Sequence, residues 1–309
     1  MRCSNKINRP KRILFLFVDG VGIREAASDN PVNKTNCPTL CDLMKKHGIP
    51  IDATLGVPGL PQSATGQTTI FCGINAAKEM GRHVSGFPGP RLREIVQHNN
   101  LFMELKKRGI PCKFGNAYYA TISKDLAKRR FLSVTTVMGL TVPESLSFEK
   151  DLNQNRAVVE DIIRAAIRNR GYKGPQIDPV DAANHLFELS LDYPFVLFEY
   201  FQTDRCGHLK STTQTIEVLR ICDVFLKQLL KRLKRTKTLL VVTSDHGNLE
   251  DMSVAGHTLN PVPLIAYGPG EEQFRKGMKS LLDIMPRILE TFNLNTNHTK
   301  RERKTRKLI

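Results

Sequence analysis

The sequence predicts an α/β fold, a three-layer α/β/α sandwich whose central sheet is mostly parallel, with a small helical insertion. Three observations point there. Residues 12–18, 195–201 and 238–243 are short apolar runs without alternation, the pattern of strands covered on both faces. Helical patterns separate them, the longest over 213–235 with Leu219, Cys222, Leu226, Leu229, Leu230 and Leu233 on one stripe. Each run ends at or near a carboxylate, and in parallel sheets the chemistry collects just beyond the carboxyl ends of the strands.

Length and composition suit that architecture. A chain of 309 residues with 40% hydrophobic content can bury a large core. Its longest early apolar run, 13–18, is too short for a membrane span and is not followed by a small-residue cleavage site. A cytoplasmic protein with no membrane partner is expected. The seven Cys residues include no CxxC pair, which favours reduced, buried thiols over a zinc site. The net charge of +16 lies largely at the ends, with +5 in residues 1–12 and +5 in residues 300–309. Residues 296–309 read as a basic, disordered tail, and no nucleic-acid-binding motif accompanies it, so a nucleic-acid partner is not expected.

In chain order, the strand at 12–18 gives way to Asp19-Gly20-Val21-Gly22, a sharp turn that aims the Asp19 carboxylate off the sheet. A turn-capping Asp would fit the same glycines. A short helix follows over 38–46, then a loop with two prolines over 56–61. Ser63 stands just before a helix N-terminus, where free N–H groups and the helix dipole attract phosphate and stabilise an alkoxide. A plain N-cap would use the same residue type. Thr65 belongs to the same hydroxyl cluster and is a candidate substrate contact, and Lys78, Arg82 and His83 are candidate anion contacts in a Gly-rich passage that a solvated loop would also explain.

A helix over 91–108 breaks near Asn99-Asn100, and 111–115 reads as the next strand. From 121 the strand and helix alternation is lost; residues 121–178 read as an insertion or lid, with 155–168 its clearest helix. Its Arg129-Arg130 pair could hold a substrate anion. Asp178-Pro179 opens a helix to about residue 191. Beyond the strand at 195–201, Asp204 and His208 are four apart, so one helical turn brings both to one side. Asp245-His246 follows the strand at 238–243, His257 precedes a proline-punctuated strand, and Ser280 with Asp283 starts a last helix.

Asp19, Ser63, Asp204, His208, Asp245, His246 and His257 therefore gather at predicted strand ends. Three carboxylates, three imidazoles and a hydroxyl suffice for two divalent ions; the mixed oxygen and nitrogen set suits Zn²⁺ or Mn²⁺, whereas Mg²⁺ alone would prefer fewer His. Two such ions against three carboxylates leave one net positive charge, which attracts phosphate and activates a coordinated hydroxyl.

These residues and their order resemble the alkaline phosphatase superfamily of metalloenzymes, and within it the branch of cofactor-independent phosphoglycerate mutases and phosphopentomutases. Ser244-Asp245-His246-Gly247-Asn248 with Glu250 and Met252, then His257-Thr258 and Asn260-Pro261-Val262-Pro263, is similar to the mutase signature nearly letter for letter. Asp19-Gly20-x-Gly22 and Asp204-x-x-x-His208 match as well, and Ser63-Ala64-Thr65-Gly66-Gln67 resembles the nucleophile motif. The resemblance covers residues 10–120 and 180–295 and implies one alkaline-phosphatase-like metalloenzyme domain over 10–295. It implies one ion on Asp204, His208 and His257, another on Asp19, Asp245 and His246, and Ser63 bound to that second ion as the nucleophile that becomes phosphorylated. Two departures accompany it: Gln67 stands where the motif has His, and the stretch from Ser63 to Asp204 is too short for the large second domain of the phosphoglycerate mutases. The expected activity is phosphomutase or phosphatase action on a small phosphorylated metabolite. A phosphodiesterase is the alternative among enzymes, and a nucleic-acid-binding protein using its basic termini is the alternative of another class.

Overall fold

A computed structural model describes residues 9–119 and 123–292. The tail expected over 296–309 lies outside the described residues. Strand β1 (Arg12–Val18) leads into a long loop, then α1 (Pro38–His47) and the short β2 (Gly48–Ile51). Next come α2 (Ser63–Cys72), α3 (Ala76–Met80), α4 (Pro90–His98), α5 (Leu101–Lys107) and β3 (Cys112–Phe114). The middle segment holds β4 (Ala117–Tyr118), α6 (Ser123–Ala127), α7 (Val134–Thr141), β5 (Ser147–Phe148), α8 (Glu149–Asn153) and α9 (Ala165–Asn169). The chain then runs through α10 (Pro179–Asp192), β6 (Phe195–Tyr200), α11 (Gln202–Leu209), α12 (Thr212–Leu233), β7 (Thr238–Thr243), β8 (Val262–Tyr267) and α13 (Glu271–Arg275).

Six strands form one sheet in the order β2-β8-β7-β1-β6-β3. β3, β6, β1 and β7 are mutually parallel, and β8 runs antiparallel to β7 and β2. Because side chains alternate across a strand, β1 divides its apolar residues between two cores. Ile13, Phe15 and Phe17 pack with α2, α5 and α7 on one face, where Phe71 meets Phe15 and Phe17 edge-on at 6.1 and 5.9 Å. Leu14, Leu16 and Val18 pack with α1, α10 and α12 on the other. Covering on both faces explains the unbroken apolar runs.

Several local outcomes follow from single residues. Asn100 separates α4 from α5 by accepting a hydrogen bond from the Met103 N–H, the break expected at that position. Asp178 caps α10 by accepting from the Val180 N–H, with Pro179 at the first helical position. The edge strand β2 was not legible in sequence: four residues containing Gly48 and Pro50 carry no strand signal, and an edge tolerates them.

The helix expected over 155–168 is absent, and only α9 (Ala165–Asn169) forms there. Asn155, Ile162 and Arg164 adopt positive φ values of 56°, 67° and 68°, incompatible with a continuous helix. Residues 157–159 are instead laid out beside the end of β3, with Val158 N–H donating to the Gly115 carbonyl and Ala117 N–H to the Val158 carbonyl. The segment read as an insertion also sends Leu126, Val134, Val137 and Met138 into the same core as Phe15 and Phe71.

Candidate metal centre

Topology assembles the site. β1, β6 and β7 are parallel and adjacent, so their carboxyl ends share one edge of the sheet, and the segments that follow them carry Asp19, Asp204 with His208, and Asp245 with His246. β8 is antiparallel, so its beginning lies at that same edge, and His257 just upstream of it joins the group. Gly20 permits the close approach: its φ is +68°, and a Cβ there would stand 2.8 Å from the Asp204 Cα.

Two triads result. Asp204, His208 and His257 offer ligand atoms within 4.8 Å of one another, and so do Asp19, Asp245 and His246. In the first, His208 Nε2 is 3.3 Å from Asp204 Oδ2 and 3.1 Å from His257 Nε2. In the second, His246 Nε2 is 3.4 Å from Asp19 Oδ1 and 3.6 Å from Asp245 Oδ2. The His246 and His257 rings stack with centroids 3.7 Å apart, which places the triads side by side. Ser63 is the first residue of α2, with Gln62 in the capping position, and its Oγ lies 3.0 Å from His246 Nε2.

Asp19 and Asp245 are buried, and each keeps one carboxylate oxygen, Oδ1, without a hydrogen-bond partner. Burial first, then the Asp245 and Asp204 charges, push the Asp19 carboxyl well above the usual carboxylate range. Burial pushes Asp245 up to about 7 and His246 down to about 3. His257 Nδ1 faces the Pro61 carbonyl at 2.7 Å and His246 Nδ1 faces the Gly247 carbonyl at 3.4 Å. A carbonyl only accepts, so both protons sit on Nδ1 and both Nε2 lone pairs point into the site. Unpartnered buried carboxylate oxygens opposite imidazole lone pairs form a donor set that divalent cations fit.

The supporting residues are specific. Gln67, in place of the motif His, donates from Nε2 to Asp19 Oδ2 at 3.3 Å and to Asp245 Oδ2 at 3.4 Å. Asn248 Nδ2 donates to Asp204 Oδ1 at 2.7 Å. Thr65 is buried, its hydroxyl donating to the Gln62 carbonyl and accepting from the Val84 N–H. Arg82 is exposed, and His83 Nε2 faces the Val57 carbonyl. Arg129 lines a cavity of about 370 Å³ with Asn116, Tyr119, Thr136 and Glu199, whereas the Arg130 guanidinium lies over the Phe131 ring.

Glu199 has no counterpart among the expected site residues. It is buried on β6, accepts a hydrogen bond from the Thr135 hydroxyl at 2.6 Å, and is pushed up to about 7 by burial. It is close enough to Asp19 and Asp245 for their charges to interact. A charged residue inside a strand otherwise made of Phe, Val, Leu and Tyr is the signal that could have found it.

A family model described as the metalloenzyme superfamily matches residues 11–296. A 2,3-bisphosphoglycerate-independent phosphoglycerate mutase of Antithamnion sp. is 30% identical over 131 residues, 39% of this chain and 26% of the mutase. The corresponding enzyme of Ehrlichia canis (strain Jake) is 34% identical over 109 residues, 33% of this chain and 22% of that protein. The chain thus spans about a quarter of the length of these relatives. Among solved structures, alkaline phosphatase from the Antarctic bacterium TAB5 superposes with a TM-score of 0.56 at 17% identity, covering 92% of this chain and 98% of that one. Leishmania mexicana phosphoglycerate mutase gives 0.58 at 10% identity, with 90% and 94% covered. Among the described residues no helix is long and apolar enough to cross a membrane.

Proposed function

The chain belongs to the metalloenzyme superfamily, and from that premise we propose that it is a dinuclear-metal phosphotransferase acting on a small phosphorylated metabolite through a phosphorylated Ser63. The observation that carries this reading is the placement of the Ser63 hydroxyl, 3.0 Å from His246 Nε2, beside two carboxylate and imidazole triads. Asp204, His208 and His257 would hold one cation and Asp19, Asp245 and His246 the other, Zn²⁺ or Mn²⁺ by donor type. When bound, the ions supply Lewis-acid polarisation of the phosphoryl group and favour the ionised Ser63 hydroxyl.

The chain's own residues do the rest. The first turn of α2 holds the Ser63 Oγ beside His246 Nε2, where the positive end of the helix dipole favours a phosphoryl anion. Ser63 Oγ gives up its proton and bonds to phosphorus as the ester P–O bond breaks, and that proton is returned to the leaving oxygen, which departs as the alcohol. Gln67 keeps Asp19 and Asp245 in register by donating to both. The cavity walled by Arg129 and Tyr119, built largely from the middle segment, is the place for the alcohol half of the substrate. Water taking the phosphoryl group makes the enzyme a phosphatase; a second hydroxyl of the same substrate makes it a mutase.

Elemental analysis with hydrolysis of a generic aryl phosphate tests the proposal. Wild type is expected to carry two ions per chain and release inorganic phosphate, and Ser63→Ala to retain both ions and lose turnover. Two bound ions without action on phosphomonoesters would sink the assignment, and turnover of a bis-aryl ester instead would install the phosphodiesterase reading. Phosphosugars and phosphoglycerates, with inorganic phosphate measured against isomerised product, separate phosphatase from mutase.

A further inference from the structure

Glu250 stands outside both triads and is fully buried. All of its acceptor capacity is spent on three separate loops. Oε2 accepts from the Gly22 N–H at 2.8 Å and the Asn248 N–H at 2.9 Å. Oε1 accepts from the Thr258 hydroxyl at 2.5 Å and the Asn260 side-chain amide at 3.0 Å. Gly22 is three residues beyond Asp19, Asn248 is two beyond His246, and Thr258 directly follows His257. Asn248, fixed through its N–H, also donates from its side chain to Asp204. One carboxylate thereby registers ligands of both triads.

The neighbours are shaped around it. A Cβ on Gly22 or Gly247 would overlap the Glu250 carboxylate, so both loops approach it as only glycine can. Further bonds weave the same loops together: Val21 N–H to Ser244 Oγ, Leu249 N–H to the Gly20 carbonyl, and Thr258 N–H to the Gly247 carbonyl. None of these reaches all three segments, as Glu250 does.

We propose that Glu250 is a positioning residue that sets the spacing between the two cation sites, so that its loss weakens both sites together. This rests on the dinuclear reading above. No other side chain serves. Gln would turn an NH₂ toward two donors, Asp is one methylene too short to reach all four, and Ala leaves four buried donors unpaired.

The experiment measures Zn²⁺ and Mn²⁺ affinity by chelator competition in wild type, Glu250→Gln and the milder Asn260→Ala, alongside thermal unfolding of each metal-free protein. The expected result is a 10- to 100-fold loss of affinity at both sites in Glu250→Gln, and a smaller parallel loss in Asn260→Ala. A variant that unfolds more easily when metal-free yet binds both ions as wild type does would overturn the proposal, since Glu250 would then be structural only. Weakening at one site alone would overturn it too. If Glu250→Gln does not fold, Asn260→Ala carries the same two outcomes. Failure of wild type to bind two ions would instead count against the dinuclear reading.

Discussion

Asp245 shows how a single buried residue couples stability, pH and cation binding. Burial lifts its carboxyl from the ordinary 3.8 to about 7 in the metal-free fold. A raised carboxyl pKa means that the folded chain holds the proton more tightly than the unfolded chain. Its stabilising contribution is therefore complete below about pH 4 and is lost as pH rises through about 7. Metal-free Asp245→Asn should accordingly be more stable than metal-free wild type at pH 8, by about 2–4 kcal/mol, and the difference should close toward pH 4. Urea unfolding at the two pH values checks it. Saturating cation should reverse the order at pH 8 if Asp245 is the ligand proposed above, because the variant would then lack it. His246 has the opposite sign. Its depressed pKa contributes stability above about 6.5 that is lost on acidification toward about 3.

Among the elements, α2 carries the heaviest constraint, since it must present Ser63 while packing against Asp245 just beyond β7. A Cβ on Gly66 would stand 2.9 Å from the Asp245 Cβ. Gly66→Ala is expected to cost about 1–3 kcal/mol by overpacking, read by urea unfolding, and to lower turnover by displacing Ser63 from His246. Phe71 anchors the far end of the helix against Phe15 and Phe17, and Phe71→Ala should cost about 3–5 kcal/mol without changing which ions bind. The middle segment contributes at this scale through Arg129. If it contacts the alcohol half, Arg129→Ala should raise KM about 10-fold with kcat unchanged, the pattern of lost uniform binding. A fall in kcat at constant KM would exclude that role.

At the scale of the whole molecule, two candidate triads drawn from three loops and α11 at one sheet edge would link bound cations to global stability. Chelation should lower the unfolding midpoint. Ions at about 100 times their dissociation constant contribute roughly 2.7 kcal/mol per site, so the loss in scanning calorimetry should be about 5–10 °C. Charge divides differently: residues 300–309 hold +5 of the +16. Their removal should leave aryl phosphate hydrolysis unchanged while abolishing any salt-sensitive retention on nucleic acid. Retention that survives the deletion would revive a nucleic-acid role.

The sequence by itself determined the sheet's interior strands, the helices that cover them, and the candidate ligands, because both-face burial leaves unbroken apolar runs and ligand residues cluster where those runs stop. Asp19, Asp204 and Asp245 were legible for that reason. It did not determine the path of 155–168, where three residues with positive φ interrupt the expected helix and the chain lies against the end of β3. Nor did it show Glu199, whose acceptance of the Thr135 hydroxyl joins positions 64 residues apart. Only the tertiary structure decided that β8 runs backwards and so delivers His257 to the shared edge, that Gln67 spans two carboxylates, and that Glu250 binds three loops at once. Hydrophobic periodicity is a local property and survives in one dimension, whereas a hydrogen bond between residues 228 apart, such as Gly22 to Glu250, exists only after the chain has folded.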